Sequence, residues 1–197
     1  MSLFPKHITK EEVNELPLGR YEGKLAVISS SEKLQQAVDR IRSEQVIGFD
    51  TETKPTFRKG QYHHVSLLQV AVPGMVFLFR LNYLGMPKEL RSIFEDPDIT
   101  KVGIGIRDDL LEMQKLGSFK PQNVADLNTE VKSLGVKNAG VRNLSAIFLE
   151  FRISKSQQTS NWERDELTEK QLRYAATDAW VCLEIYNRLQ DWGYLSA

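Results

Sequence analysis

Apolar residues along this chain fall into two kinds of pattern. Compact, β-like runs occupy 46–53, 65–72 and 75–79, and a Pro73-Gly74 turn separates the last two. Such runs, bounded by turn residues, predict strands, and three in succession without a helix predict an antiparallel meander. A shorter run at 25–28 predicts an edge strand, and 101–105 and 124–127 predict two more strands. Between and after these the spacing changes to threes and fours. Leu34, Val38 and Ile41 predict a helix capped by Ser31 and running to about Glu44. Further helices are expected over 87–94, over 107–116 with Gly117 as the stop, over 128–134 and over 141–151. Thr168 opens a long final helix to about Leu189, with Leu172, Ala175, Ala179, Leu183 and Tyr186 on one stripe. Residues 54–64 and 154–161 are polar and read as loops. Near the start, Thr9-Lys10-Glu11-Glu12 fits a capping box, Val13 and Leu16 give a short helix one apolar edge, and Pro17, Gly19 and Gly23 end it. The expected organisation is an N-terminal appendage over 1–24, packed on a single domain over 25–197. A meander followed by alternating strands and helices makes that domain α/β, with a mixed five- or six-stranded sheet and helices on both faces.

The run over 46–53 ends in chemistry. Side chains alternate along a strand, so Asp50 and Glu52 project from the same face. Two carboxylates held that close raise each other's pKa unless a cation lies between them, and the simplest reading is a divalent-metal site. A second acidic pair, Asp108-Asp109, follows the strand at 101–105, where a helix begins. Its glycines lack the third member of a dinucleotide-binding loop, and an acid stands where the pyrophosphate would sit, so that reading is rejected. One of the two aspartates is expected to cap the helix. The last helix places Tyr174 and Asp178 four residues apart, hence on one face. Taken alone, that pair reads as a core aromatic beside a solvated acid.

Composition narrows the classes. Lys+Arg and Asp+Glu are equal at 26 each, so no global positive field holds a polyanion, and nucleic-acid contact must come from a local patch or from metal. Cys182 is the single cysteine, which excludes an internal disulfide, argues against a disulfide-linked partner and suits a reducing compartment. With no signal-like N-terminus and no apolar run of membrane-spanning length, a soluble, cytoplasmic protein without a membrane partner is expected.

The three acidic segments, in this order, resemble the exonuclease motifs of the DEDDy branch of 3′–5′ exonucleases. That group includes ribonuclease D, the Werner-syndrome exonuclease domain and the proofreading domains of family A DNA polymerases. Phe49-Asp50-Thr51-Glu52-Thr53 is similar to the first motif, and the stretch from Val102 to Leu110 to the second, with Asp109 aligned when the glycines are matched. The Tyr174-to-Asp178 spacing is similar to the third. The doubled acid leaves Asp108 as an alternative in that register. Leu67-Leu68-Gln69 and Lys155 with Ser160-Asn161-Trp162 resemble segments of the ribonuclease D and Werner-type subgroup.

The resemblance implies a ribonuclease H-like fold and a metal-dependent exonuclease that releases nucleoside 5′-monophosphates from a DNA or RNA 3′ end. Two divalent cations, Mg²⁺ or Mn²⁺, would be held by Asp50, Glu52, Asp109 and Asp178. Tyr174 would orient the attacking water. Thr51, Thr53, Lys155 and Asn161 are candidate substrate contacts. Phe57 and Tyr62 could stack on a base, and His63, His64, Lys54, Arg58 and Lys59 could form a phosphate patch or only a solvated loop. Trp162 is expected to pack, and Cys182 to be buried and inert. Two alternatives remain: an inactive relative that only binds nucleic acid, and an aspartyl phosphatase. The phosphatase would need an aspartate where Glu52 stands.

Overall fold

The computed structural model describes residues 3–195; the outermost residues of the two expected regions, 1–2 and 196–197, lie outside it. A short helix, α1 (Lys10–Glu15), begins at Thr9 in the expected capping box. Then come β1 (Lys24–Ile28), α2 (Ser31–Arg42), β2 (Val46–Thr53), β3 (Val65–Val72) and β4 (Met75–Arg80). The remainder is α3 (Leu81–Leu84), α4 (Lys88–Glu95), β5 (Thr100–Gly103), α5 (Arg107–Leu116), β6 (Val124–Asp126), α6 (Leu127–Ser133), α7 (Val141–Leu149) and α8 (Glu169–Asp191).

The six strands form one mixed sheet in the order β1-β4-β3-β2-β5-β6. β2, β3 and β4 are the antiparallel meander, while β1 joins β4 in parallel and β5 and β6 extend parallel from β2. The expected mixed sheet is therefore present, with the site-bearing β2 at its centre and β1 on the edge. All eight residues of β3 are buried, because both faces of the sheet are covered. On one face Ile47 and Phe49 pack with Leu34, Val38 and Ile41 of α2 and Leu90, Ile93 and Phe94 of α4. On the other, Leu67, Ala71 and Leu78 pack under Ala175, Ala176 and Ala179 of α8.

Several boundaries differ from the sequence reading. Ser31 is the first residue of α2 rather than its cap; Ser30 holds the cap position without a side-chain bond, and the helix stops at Arg42. β5 ends at Gly103, because Gly105 takes φ +72° and turns the chain into α5. α7 ends at Leu149, where Glu150 adopts a left-handed conformation. That turn frees Phe151 to stack on Trp180, with ring centroids 5.8 Å apart. α3 is a single turn with too little periodicity to be read in advance.

Gly48 sets how closely α8 lies on β2. A β-carbon there would stand 2.2 Å from the Ala179 carbonyl oxygen and 2.8 Å from the Leu183 nitrogen, and neither backbone atom can give way. The chain uses glycine mid-strand, despite its conformational entropy, to let two backbones touch. Gly48→Ala is expected to lift α8 from the sheet and cost about 1–3 kcal/mol, as overpacking does. Urea denaturation reads the cost; an unchanged midpoint would mean that the close approach is not required.

Candidate active site

Because β2 alternates, Ile47 and Phe49 enter the core while Asp50 and Glu52 face the side covered by α8. Asp178 descends from that helix to meet them. Each of the three offers a carboxylate oxygen, and these oxygens lie within 4.8 Å of one another. Asp178 is 5% exposed, and its Oδ1 has no hydrogen-bond partner. None of the ion pairs among the described residues reaches any of the three acids. Burial first, then the charges of Asp178 and Asp109, raise the Asp50 carboxyl well above its ordinary range. Burial, then the charges of Asp50, Asp178 and Asp109, push Glu52 up to about 10. Asp178 is raised by burial, against a smaller opposing effect of the Tyr174 hydroxyl that faces it. With Asp178 buried and Asp50 and Glu52 half-buried, three acids that cannot ionise together and that meet no neutralising cation among the described residues form a donor set suited to a hard divalent cation.

Asp109 stands in the first turn of α5, outside that triplet, and accepts a hydrogen bond from the Thr51 hydroxyl. Burial is the main cause raising its carboxyl, and its charge is felt at Asp50. Asp108 is exposed. Neither aspartate caps α5: Ile106 holds the cap position without a side-chain bond, which corrects the expected cap. Both acids lie one or two residues inside the helix, where they complement its dipole instead.

Tyr174 is partly buried, and its phenol is pushed up by burial and by the charges of Asp178, Glu52 and Asp50. Behind it lies Trp162, fully buried as expected of a packing residue, with ring centroids 6.1 Å apart. Thr51 points to the α5 side of the sheet, so its hydroxyl serves Asp109 rather than the open face of the three acids. Thr53 closes β2 just past a shift in register between Glu52 and Thr53. Lys155 lines a cavity shared with Tyr174. Asn161 is tied into its own loop, its Oδ1 accepting from the Glu163 amide at 3.0 Å and its carbonyl from Gln171.

The basic loop is less available than its composition suggests. Glu163 accepts from Lys54 at 3.0 Å and pairs with His63 Nδ1 at 2.8 Å, anchoring both ends of 54–64. Tyr62 hydrogen-bonds with Glu112 and Lys115 on α5, whereas Phe57 remains exposed at the loop tip. Cys182 is buried, its thiol donating to the Asp178 carbonyl, which suits the expected inert role. Sequence reading met Gln69 only within the Leu67-Leu68-Gln69 segment that resembles the ribonuclease D and Werner-type subgroup, and gave it no role. It lies directly across from Asp50 in the β2–β3 ladder, fully buried, with neither side-chain amide atom partnered. Its signal was a lone amide inside an apolar strand.

Comparison with known proteins agrees with this geometry. A family model described as 3′–5′ exonuclease matches residues 25–192. The chain is 31% identical to the exonuclease mut-7 homolog of Homo sapiens over 91% of its own length, but covers only 24% of that protein. It is 30% identical to the bifunctional 3′–5′ exonuclease/ATP-dependent helicase WRN of Mus musculus over 78% of its length, and covers 11% of that protein. The chain thus spans about a quarter or less of these relatives. Among solved structures, the Nibbler EXO domain of Aedes aegypti superposes with a TM-score of 0.78 at 26% identity, over 87% of this chain and 89% of that one. Ribonuclease D of Trypanosoma brucei in complex with RNA U12 gives 0.75 at 25% identity, over 85% and 63%. Ribonuclease D of Escherichia coli, at 22% identity and a TM-score of 0.74 over 87% and 47%, shares the fold.

Proposed function

The chain belongs to the 3′–5′ exonuclease family, and from that premise we propose that it hydrolyses nucleotides one at a time from the 3′ end of a nucleic-acid strand, releasing nucleoside 5′-monophosphates. The observation that carries this reading is the convergence on one point of buried Asp178 and half-buried Asp50 and Glu52, without a cationic partner among the described residues. Nucleic acid as the substrate is supported by the RNA-bound ribonuclease D relative.

Asp50, Glu52 and Asp178 would hold one Mg²⁺ or Mn²⁺, and Asp50 with Asp109 would hold a second. Such ions supply a water acidic enough to attack at neutral pH, and they neutralise charge on the phosphate and the departing 3′-oxygen. The remaining work falls to the chain. β2 and α8 fix the carboxylates before substrate arrives, so their orientation needs no further ordering. Thr51 holds the Asp109 carboxylate in place. Tyr174, with its phenol raised, stays protonated at neutral pH, so it orients a water through its hydroxyl and does not act as a general base.

A 5′-labelled single strand incubated with Mn²⁺ tests the reading. Stepwise shortening supports it; release of inorganic phosphate without shortening would support the phosphatase instead, and binding without cleavage the inactive relative. Tyr174→Phe is expected to lower turnover about 10²-fold, the scale of a misplaced reacting group, while Mn²⁺ affinity stays near that of wild type. Unchanged turnover would remove Tyr174 from the reaction.

A further inference from the structure

The N-terminal segment is held against the site by many bonds. Ile8 exchanges two hydrogen bonds with the Asn138 side chain, at 2.9 and 3.0 Å. Asn14 accepts from Arg142, and Arg152 pairs through its backbone with Pro17 and Gly19. Arg173 of α8 donates to the carbonyls of Tyr21 and Gly23. Gly19 lies so close to the Phe151 ring that a β-carbon would stand 2.3 Å from it.

This attachment encloses two cavities that meet at Tyr174. One, of about 560 Å³, is lined on the segment's side by Lys10 and on the other by Arg142 and Lys155. The second, of about 290 Å³, is lined by Arg20, Lys170 and Arg173 and touches Asp178. Ile153, Ser154 and Tyr174 border both. Among the described residues, six cations line the pair of cavities, and the only carboxylate lining them is the site's own Asp178. The three arginines already have partners: Arg142 and Arg173 staple the segment, and Arg20 pairs with Glu22. Lys10, Lys155 and Lys170 are exposed and make no ion pair among the described residues. In a chain whose charges cancel overall, three unpaired lysines around one walled groove form a local patch for a polyanion.

We propose that residues 8–20 wall a groove, made of these two cavities, that carries one nucleic-acid strand past Tyr174 and holds it by its phosphates. This rests on the functional reading above and extends it to the residues that hold the strand. Among the described residues Tyr174 is the only aromatic ring lining either cavity, so the hold is electrostatic and indifferent to sequence rather than built on base stacking.

Salt dependence tests this. Fluorescence anisotropy in an Asp178→Asn background, where the strand survives, follows binding of a twelve-nucleotide oligothymidylate or oligouridylate, whichever is held more tightly, over about 50–200 mM salt. Lys10→Gln with Lys170→Gln removes one cation from each cavity, at first-turn helix positions that tolerate glutamine. The slope of log affinity against log salt is expected to fall by about 1.4, at about 0.7 for each lost single-strand contact. Lys33→Gln with Lys88→Gln, an equal charge change on α2 and α4, is expected to leave the slope in place. An unchanged slope in the first pair, or equal flattening in both, overturns the groove. Hydrolysis of the p-nitrophenyl ester of thymidine 5′-phosphate reads the acidic centre without an upstream strand. Its absence in wild type with Mn²⁺ would count against the functional reading, whereas the slope bears on the groove alone.

Discussion

Without metal, the protein is expected to lose several kcal/mol of stability between about pH 5 and pH 8, and Mn²⁺ to restore it. The cause is the close approach of Asp50, Glu52 and Asp178 in a site where Asp178 is buried and the other two are half-buried. Their carboxyls are raised in the folded state, so across this window the folded chain binds more protons than the unfolded one, and stability falls as pH rises. The loss begins above the ordinary carboxylate range, near 4.5 for Glu52, and continues toward its folded value of about 10. Each unit of difference is worth about 1.4 kcal/mol, so the part of that interval below pH 8 accounts for a loss of this order. A cation bound between the carboxylates reverses the sign, because it favours their ionised forms. Urea melts in EDTA and in Mn²⁺ at several pH values check this. Asp50→Asn is expected to flatten the EDTA profile and abolish most of the Mn²⁺ gain, which follows from binding to the folded state. A wild-type profile in EDTA that is flat across neutral pH would show that the acids do not share one buried site.

What made this site legible in the sequence was periodicity. The alternation over Val46–Thr53 put Asp50 and Glu52 on one face, and the four-residue interval put Tyr174 with Asp178; both relations are local and survive folding. Which strands neighbour one another followed from the absence of a helix between β2, β3 and β4. Relations that depend on distant segments were not legible. Nothing local says that Gly48 is the point where α8 touches the sheet, since the clash involves Ala179 and Leu183, more than a hundred residues on. Glu163 similarly binds both Lys54 and His63 from just past the polar stretch 154–161, where no local signal gave it a role. The same alternation that places Glu52 turns Thr51 the other way, toward Asp109, yet no sequence signal marked that aspartate as its partner. The N-terminal segment read as an appendage because its own helix is short; its bonds to Asn138, Arg152 and Arg173 are visible only in three dimensions.

Asp178→Asn is expected to lower turnover by about 10²–10³-fold while making the metal-free protein more stable. The two effects share one origin. Asp178 is almost wholly buried, one of its oxygens is unpartnered, and its charge faces those of Asp50 and Glu52. Asparagine keeps the shape, removes one of three mutually repelling charges, and leaves the Tyr174 hydroxyl an oxygen to donate to. In EDTA near pH 8 the melting temperature should therefore rise. Loss of a ligand removes electrostatic stabilisation where charge develops in the reaction, and a single preorganised group of that kind is worth about 10²–10³ in rate. Gln69 belongs to the same balance, since a fully buried amide with no partner beside Asp50 also lowers stability. Proteins keep such arrangements at functional sites, where substitutions that favour the fold oppose the activity. Melting curves in EDTA and cleavage of a labelled strand in Mn²⁺ provide the two readouts. A variant that melts higher yet shortens the strand at the wild-type rate would remove Asp178 from the metal set, and a variant that melts lower would show that its carboxylate supports the fold instead.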